Sequence, residues 1–162
     1  MNIPFSPPDI SENEISEVVD TLRSGWITTG PKTKKFEKMI KEYTGAAGCA
    51  CLNSQTACAE MTLRLLGVGE GDEVIVPAYT YTATASVVCH VGATLKMVDV
   101  APGTLEMDRA KLAEAVTDRT KVIIPVDIAG IMCDYDSIYR IVEGKKDLFR
   151  PKTDLQKAFG RI

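Results

Sequence analysis

The 162-residue chain has a single histidine, His90, and no C-x-x-C pair among its five cysteines. A His-based metal centre or a Ser-His-Asp triad therefore has almost no material, and no metal is expected. An odd set of thiols (Cys49, Cys51, Cys58, Cys89, Cys133) in apolar stretches reads as buried reduced cysteines. His90, near a helix end, is expected to be structural. Excess basic charge is also missing: 19 Lys and Arg face 22 Asp and Glu, a net charge of -3. Nothing is left to track a phosphate backbone, so nucleic acid is not an expected partner. Apolar runs such as Val122 to Val126 fall far short of the ~20 residues a membrane helix needs, and no membrane association is expected. The opening Met1-Asn2-Ile3-Pro4 carries no basic stretch ahead of an apolar core, which makes the cytoplasm the expected location.

What is present is an ordinary globular composition, 45% hydrophobic and 25% charged, enough to bury one sizeable core and unlike a disordered, collagenous or coiled-coil chain. Ser11-Glu12-Asn13-Glu14 is a capping box, and Ile15, Val18, Val19 and Leu22 follow at helical spacing up to Gly25. Pro31 opens a second helix in which Phe36, Met39, Ile40 and Tyr43 recur on one face before Gly45. From Gly48 short apolar runs alternate with helical stretches, the mark of βαβ units and a mostly parallel sheet in an α/β fold. The expected strands are Cys49 to Leu52, Glu73 to Val76, Leu95 to Val100 and Lys121 to Val126. Helices are expected at Thr56 to Leu66, Thr82 to Val91, Asp108 to Val116 and Ser137 to Val142. After Gly144 the alternation breaks.

Three segments could carry chemistry. Asn53-Ser54-Gln55-Thr56-Ala57 joins a strand to a helix start, where unpaired amides and the positive dipole end could seat a phosphate; an ordinary N-cap by Ser54 or Thr56 explains the same residues. Pro77 to Thr84 directly follows a strand, where ligands of open α/β sheets bind, and Tyr79 or Tyr81 could stack on a flat ring or simply cover a loop. Gly25 to Pro31 holds the only Trp, Trp26, in a Gly-bounded loop. Gly67-Val68-Gly69-Glu70-Gly71 precedes a strand rather than following one, which excludes a dinucleotide fingerprint. Asp99 is expected to end its strand, and Asp127 is open between bracing its loop and touching a ligand.

Together the segments SGWITTGPKTKKFE, LNSQTA, GVGEGDEVIVPAYTYTATA, GATLKMVDV and KVIIPVDIAG resemble the DegT/DnrJ/EryC1/StrS family over Ile3 to about Val142. These are aminotransferases that use pyridoxal 5'-phosphate (PLP) to act on nucleotide-linked keto sugars with glutamate as amino donor. The resemblance implies a three-layer α/β/α fold with a mostly parallel sheet, part of the fold type I large domain. It implies residues 1–45 as an N-terminal helical segment, 46–144 as a partial PLP-binding large domain and 145–162 as a tail where the family domain is interrupted. It also implies a phosphate seat at Ser54, Thr56 and Ala57, an aromatic stack at Tyr81, and substrate contacts from Trp26, Thr28, Thr29 and Asp127.

Two departures stand out: Gln55 is where most relatives carry Gly, and Asp127 is where many carry His. The family's pyridinium Asp and Schiff-base Lys motifs, D-A-A-H/Q and S-x-x-x-x-K, lie beyond Ile162, so catalysis by this chain alone is not expected. With the family's sheet order 3-2-4-5-6-7-1, a strand at Cys49 to Leu52 would lack its neighbour, so it is expected to re-pair, to swap between chains or to meet a separately encoded remainder, and a homo-oligomer is the expected state. The alternatives are a non-catalytic fragment that oligomerises and a PLP-dependent sugar dehydratase with His at the Lys position.

Overall fold

The computed structural model describes residues 3, 4 and 6–160. The chain divides into two compact units, Met1–Cys51 and Leu52–Ile162. Among the described residues no helix is long and apolar enough to cross a membrane.

The first unit is two helices set by local signals. Helix α1 (Glu12–Arg23) begins at a complete capping box: the Ser11 hydroxyl accepts from the Asn13 amide, and the Glu14 carboxylate accepts from the Ser11 amide at 2.6 Å. Helix α2 (Pro31–Thr44) has Pro at its first turn and ends at Gly45, whose φ of 71° suits a residue without Cβ. Lys32 ties the start of α2 back to α1 through Glu17 and, at 2.8 Å, Asp20. Neither helix contains a buried residue; the apolar stripes are present, but Val18, Leu22, Phe36 and Met39 are all more than half exposed.

The second unit has a core. Three parallel strands, β1 (Glu73–Pro77), β2 (Thr94–Val98) and β3 (Thr120–Ile123), run in the order β2-β1-β3. All five residues of β1 are buried, as a central parallel strand covered on both faces requires. Val74 and Val76 pack with Leu63 of α3 (Gln55–Leu65) and with Val87 and Val88 of α4 (Thr82–His90). Ile75 points the other way, to Val98, to Leu112 of α5 (Arg109–Ala115) and to Ile138 and Ile141 of α6 (Tyr135–Lys145). The alternation of side chains along one strand thus divides the helices into two outer layers, and the expected α/β/α architecture is present.

Several expectations need correcting. Cys49 to Leu52 forms no strand, and the described residues hold three strands rather than four. The run is apolar enough for one, but a strand needs a ladder; the Cys51 amide donates instead to the Glu37 carboxylate at 2.9 Å. The three strands that do form follow the family's 3-2-4 order. None of the five described cysteines is in a disulfide, and only Cys133 is buried; Cys49, Cys51 and Cys58 are half-buried and Cys89, near the end of α4, is exposed. His90 closes α4 and bonds the Glu60 carboxylate of α3 at 2.9 Å, the structural role expected of it. Asp99 follows the end of β2 and accepts from the Val100 amide.

The chain after Gly144 is also more ordered than the pattern suggests. A seventh helix, α7 (Asp154–Phe159), docks beneath the α3–β1 turn through Gln156, a buried side chain that donates to Asp72 at 2.7 Å and to the Gly67 carbonyl at 2.9 Å. Its own carbonyl accepts from the Lys152 amide. A Cβ on Gly67 would stand 2.5 Å from the Thr153 hydroxyl, so glycine is needed there for close approach as well as for its φ of 72°.

Candidate functional site

A cleft of about 410 Å³ opens at the carboxyl ends of β1 and β3 in the second unit, the position at which open α/β sheets take ligands. It is lined by Gln55 and Ala59 of α3, by Thr80, Tyr81 and Thr84 around the start of α4, and by residues Ile124 to Ala129 after β3. Each wall has a local cause. Pro77 closes β1, and Tyr81 is the N-cap of α4 with extended backbone and no side-chain cap bond, so its ring stays 81% exposed. Thr80 and Thr84 bond each other through their hydroxyls at 2.9 Å, fixing the first turn of α4.

At the start of α3, Ser54 is the N-cap, and its hydroxyl accepts from the Ala57 amide at 3.1 Å. The ordinary capping role is therefore real. It leaves the amides of Gln55 and Thr56 as first-turn donors without an acceptor inside the helix, next to a half-buried Thr56. This donor set suits a phosphate: backbone N–H groups, a hydroxyl and the positive end of an 11-residue helix. The exposed face of Tyr81 suits a stacked aromatic ring.

Asp127 sits at the exit from β3 and is braced by its own loop. One carboxylate oxygen accepts from the Cys133 amide at 2.9 Å, and the Tyr135 hydroxyl donates to both oxygens at 3.1 Å. The Cys133 amide first, and the Tyr135 hydroxyl after it, hold the Asp127 carboxyl below its ordinary range. Burial, and then the facing carboxylate, push the Cys133 thiol and the Tyr135 phenol up. The loop turns through Ala129 in the left-handed region, at φ 54°. Asp127 thus both stabilises its loop and lines the cleft.

The expected site residues are distributed accordingly. Tyr81 and Asp127 line one cleft with Gln55, and Ser54, Thr56 and Ala57 form the first turn of the helix that Gln55 begins. Trp26, Thr28 and Thr29 belong to the first unit. There the Trp26 indole N–H donates to the Thr29 carbonyl at 3.1 Å, and the ring lies so close over Gly30 that a Cβ would be 2.2 Å from it. Trp26 and Thr28 line a separate cleft of about 430 Å³ with Asp20, Ile27 and Lys32. Sequence reasoning missed Gln55 as a wall, the Thr80–Thr84 pair and the Tyr135 brace; no spacing rule connects Tyr135 to Asp127 eight residues earlier.

The chain is similar to known proteins over most of its length. The model of the DegT/DnrJ/EryC1/StrS aminotransferase family matches residues 8–148. The chain is 42% identical over 141 residues to the spore coat polysaccharide biosynthesis protein SpsC of Bacillus subtilis, covering 87% of this chain and 36% of that protein. It is 44% identical over 144 residues to the UDP-4-amino-4-deoxy-L-arabinose–oxoglutarate aminotransferase of Shewanella sediminis, covering 89% and 37%.

Among solved structures, the sugar aminotransferase Spr1654 of Streptococcus pneumoniae superposes with a TM-score of 0.95 at 61% identity over 100% of this chain and 41% of its own, in apo, PMP and PLP forms. A GDP-4-keto-6-deoxy-D-mannose-3-dehydratase of E. coli, with bound hydrated PLP, matches with a TM-score of 0.80 at 28% identity, over 89% and 39%. The chain thus spans well under half the length of these relatives, and its layers are those of a fold type I PLP-dependent aminotransferase. With the family match running over most of the sequence, the chain belongs to the DegT/DnrJ/EryC1/StrS aminotransferase family.

Proposed function

We propose that the chain supplies the N-terminal part of a PLP-dependent aminotransferase that moves an amino group from glutamate to a nucleotide-linked keto sugar for polysaccharide or sugar biosynthesis, in the cytoplasm and as an oligomer. The observation that carries the reading is the cleft at the strand ends, with the α3 amides, Tyr81 and Asp127 in its surroundings. The names of the matched relatives, one a UDP-sugar–oxoglutarate aminotransferase and one a polysaccharide biosynthesis protein, support the choice of substrates. Bound PLP would supply an electron sink for moving the amino group.

In this proposal residues 46–144 are the part of the large domain that holds PLP. The amides of Gln55 and Thr56 and the Thr56 hydroxyl bind the phosphate, and Tyr81 excludes water from one face of the ring. Ala57 contributes its amide by sharing it between the phosphate and the Ser54 hydroxyl that now accepts it. Trp26, Thr28 and Thr29 contact the sugar. The Schiff-base Lys comes from outside these residues, so transamination needs the rest of the enzyme. Association is supported by β3, whose outer edge pairs with no other strand among the described residues.

The direct test is the thermal midpoint of the chain with increasing PLP, since a ligand that binds only the folded state raises it. A rise that Thr56→Ala and Tyr81→Ala each diminish is expected; an unchanged midpoint at saturating PLP removes the cofactor reading. The likeness to the dehydratase supports a second reading. The locus downstream of the Ile162 codon separates the two: Lys in an S-x-x-x-x-K context supports the aminotransferase, and His in its place supports the dehydratase.

A further inference from the structure

The cleft carries two kinds of charge preference in one wall. Gln55 opens α3, whose N-terminal dipole favours an anion, while Asp127 presents a carboxylate to the same space. A free side-chain carboxylate near a phosphate seat would be a liability, able to swing toward or away from it. Here that freedom is removed: the Cys133 amide and the Tyr135 hydroxyl hold the group by three contacts of 2.9 to 3.1 Å. Tyr135 reaches it from the first turn of α6, a rigid element, and Cys133 is itself anchored by its thiol on the Val126 carbonyl at 3.3 Å. One phenolic proton shared between the two oxygens, with the Cys133 amide on Oδ1, leaves acceptor capacity on Oδ2 of a residue that lines the cleft. A ligand that brings a phosphate to α3 and a cationic nitrogen to Asp127 satisfies both; one that brings a methyl or an aldehyde satisfies only the first.

We infer that the cleft selects the aminated form of its phosphate-bearing ligand, with Asp127 receiving the ligand's ammonium and Tyr135 as the positioning residue that keeps that carboxylate in place. The inference rests on the reading of the cleft as a pyridoxal-type cofactor site and adds to it a preference between forms.

Equilibrium dialysis of the chain against pyridoxamine 5'-phosphate and 4'-deoxypyridoxine 5'-phosphate tests this, because the two differ only by amine against hydrogen and neither reacts with lysines. Pyridoxamine phosphate is expected to bind about tenfold more tightly at pH 7.5, the scale of one charge-assisted contact. Asp127→Asn, which keeps an acceptor for the Cys133 amide, removes the preference and leaves deoxypyridoxine phosphate bound. Tyr135→Phe keeps the preference at high pH but loses it at a higher pH than the wild type does as pH falls, because Asp127 has lost a bond that kept it ionised. The groups facing Asp127 are Cys133 and Tyr135, with Glu106 and Tyr139 behind them; the affinity ratio cancels the titration of the shared phosphate.

Equal binding of the two ligands, or a preference that survives in Asp127→Asn, overturns the inference while the cofactor site stands. An unshifted pH profile in Tyr135→Phe overturns the positioning role. Binding of neither ligand overturns both the inference and the cofactor reading.

Discussion

The two units of this chain reach secondary structure by different routes. In the first, two helices carry complete local instructions, and yet no side chain in either is buried. In the second, β1 follows the glycine-containing α3–β1 turn and is buried along its whole length. Amphipathic spacing therefore marks which face of a helix could be covered, whereas burial follows only where several elements converge. The stability of the second unit should accordingly be cooperative, and that of the first largely local.

The sharpest way to break the comparison is through Ile75, fully buried among Val98, Met107, Leu112 and Val116. Ile75→Ala removes apolar volume from one outer layer and is expected to cost about 2–5 kcal/mol. Segment-resolved amide hydrogen exchange should show protection lost together in β1, β2 and β3, with α1 and α2 unchanged. Protection lost equally in α1 would mean that the two units unfold as one and that the contrast is false.

A smaller effect is expected at Gln156, which sharpens the comparison by asking how far the second unit's core extends. Its amide satisfies the buried Asp72 and the Gly67 carbonyl at once, so Gln156→Ala leaves the buried carboxylate with the Gly69 amide at 3.2 Å and Lys152 at 3.1 Å as partners, and strips the Gly67 carbonyl of this donor. A loss of about 1–3 kcal/mol is expected, the scale of leaving buried polar groups unmade. Exchange should rise first in α7 and the α3–β1 turn while the middle of β1 stays protected. Uniform loss across the sheet would make α7 part of the same cooperative core.

How much of this was legible in sequence follows the same division. The capping box at Ser11, Pro31 and Gly45 are local signals, and each produced the structure its chemistry dictates. Glu73 to Val76 was equally plain, because a β-branched run closed by proline has few other uses. Cys49 to Leu52 had the same apolar look and forms no strand, since pairing depends on a neighbour that local sequence does not specify. The docking of α7 was hidden because one buried Gln, in a run otherwise exposed, leaves no periodic trace. At the site, Tyr81 could be found from its place after a strand, and Ser54 from the helix start that it caps. The brace on Asp127 could not, because Tyr135 reaches it across a loop whose path is set by Ala129 and Gly130 at positive φ.

The smallest expected effect, at Ser11, tests the local side of the comparison. Its hydroxyl and amide are the two halves of the capping box with Asn13 and Glu14, all exposed. Ser11→Ala removes an acceptor for an orphan first-turn amide and should cost about 1 kcal/mol of α1 stability. Because nothing on α1 is buried, that loss has no core to propagate through. Exchange should therefore quicken over the first turns of α1 and fade toward Arg23, while α3, α4 and the sheet keep wild-type protection. Ser11→Asp, which restores a capping oxygen, should return α1 to its starting protection. If the alanine variant instead lowered protection in β1, the exposed stripe of α1 would be contributing to the second unit's stability, and the local description of the first unit would fail.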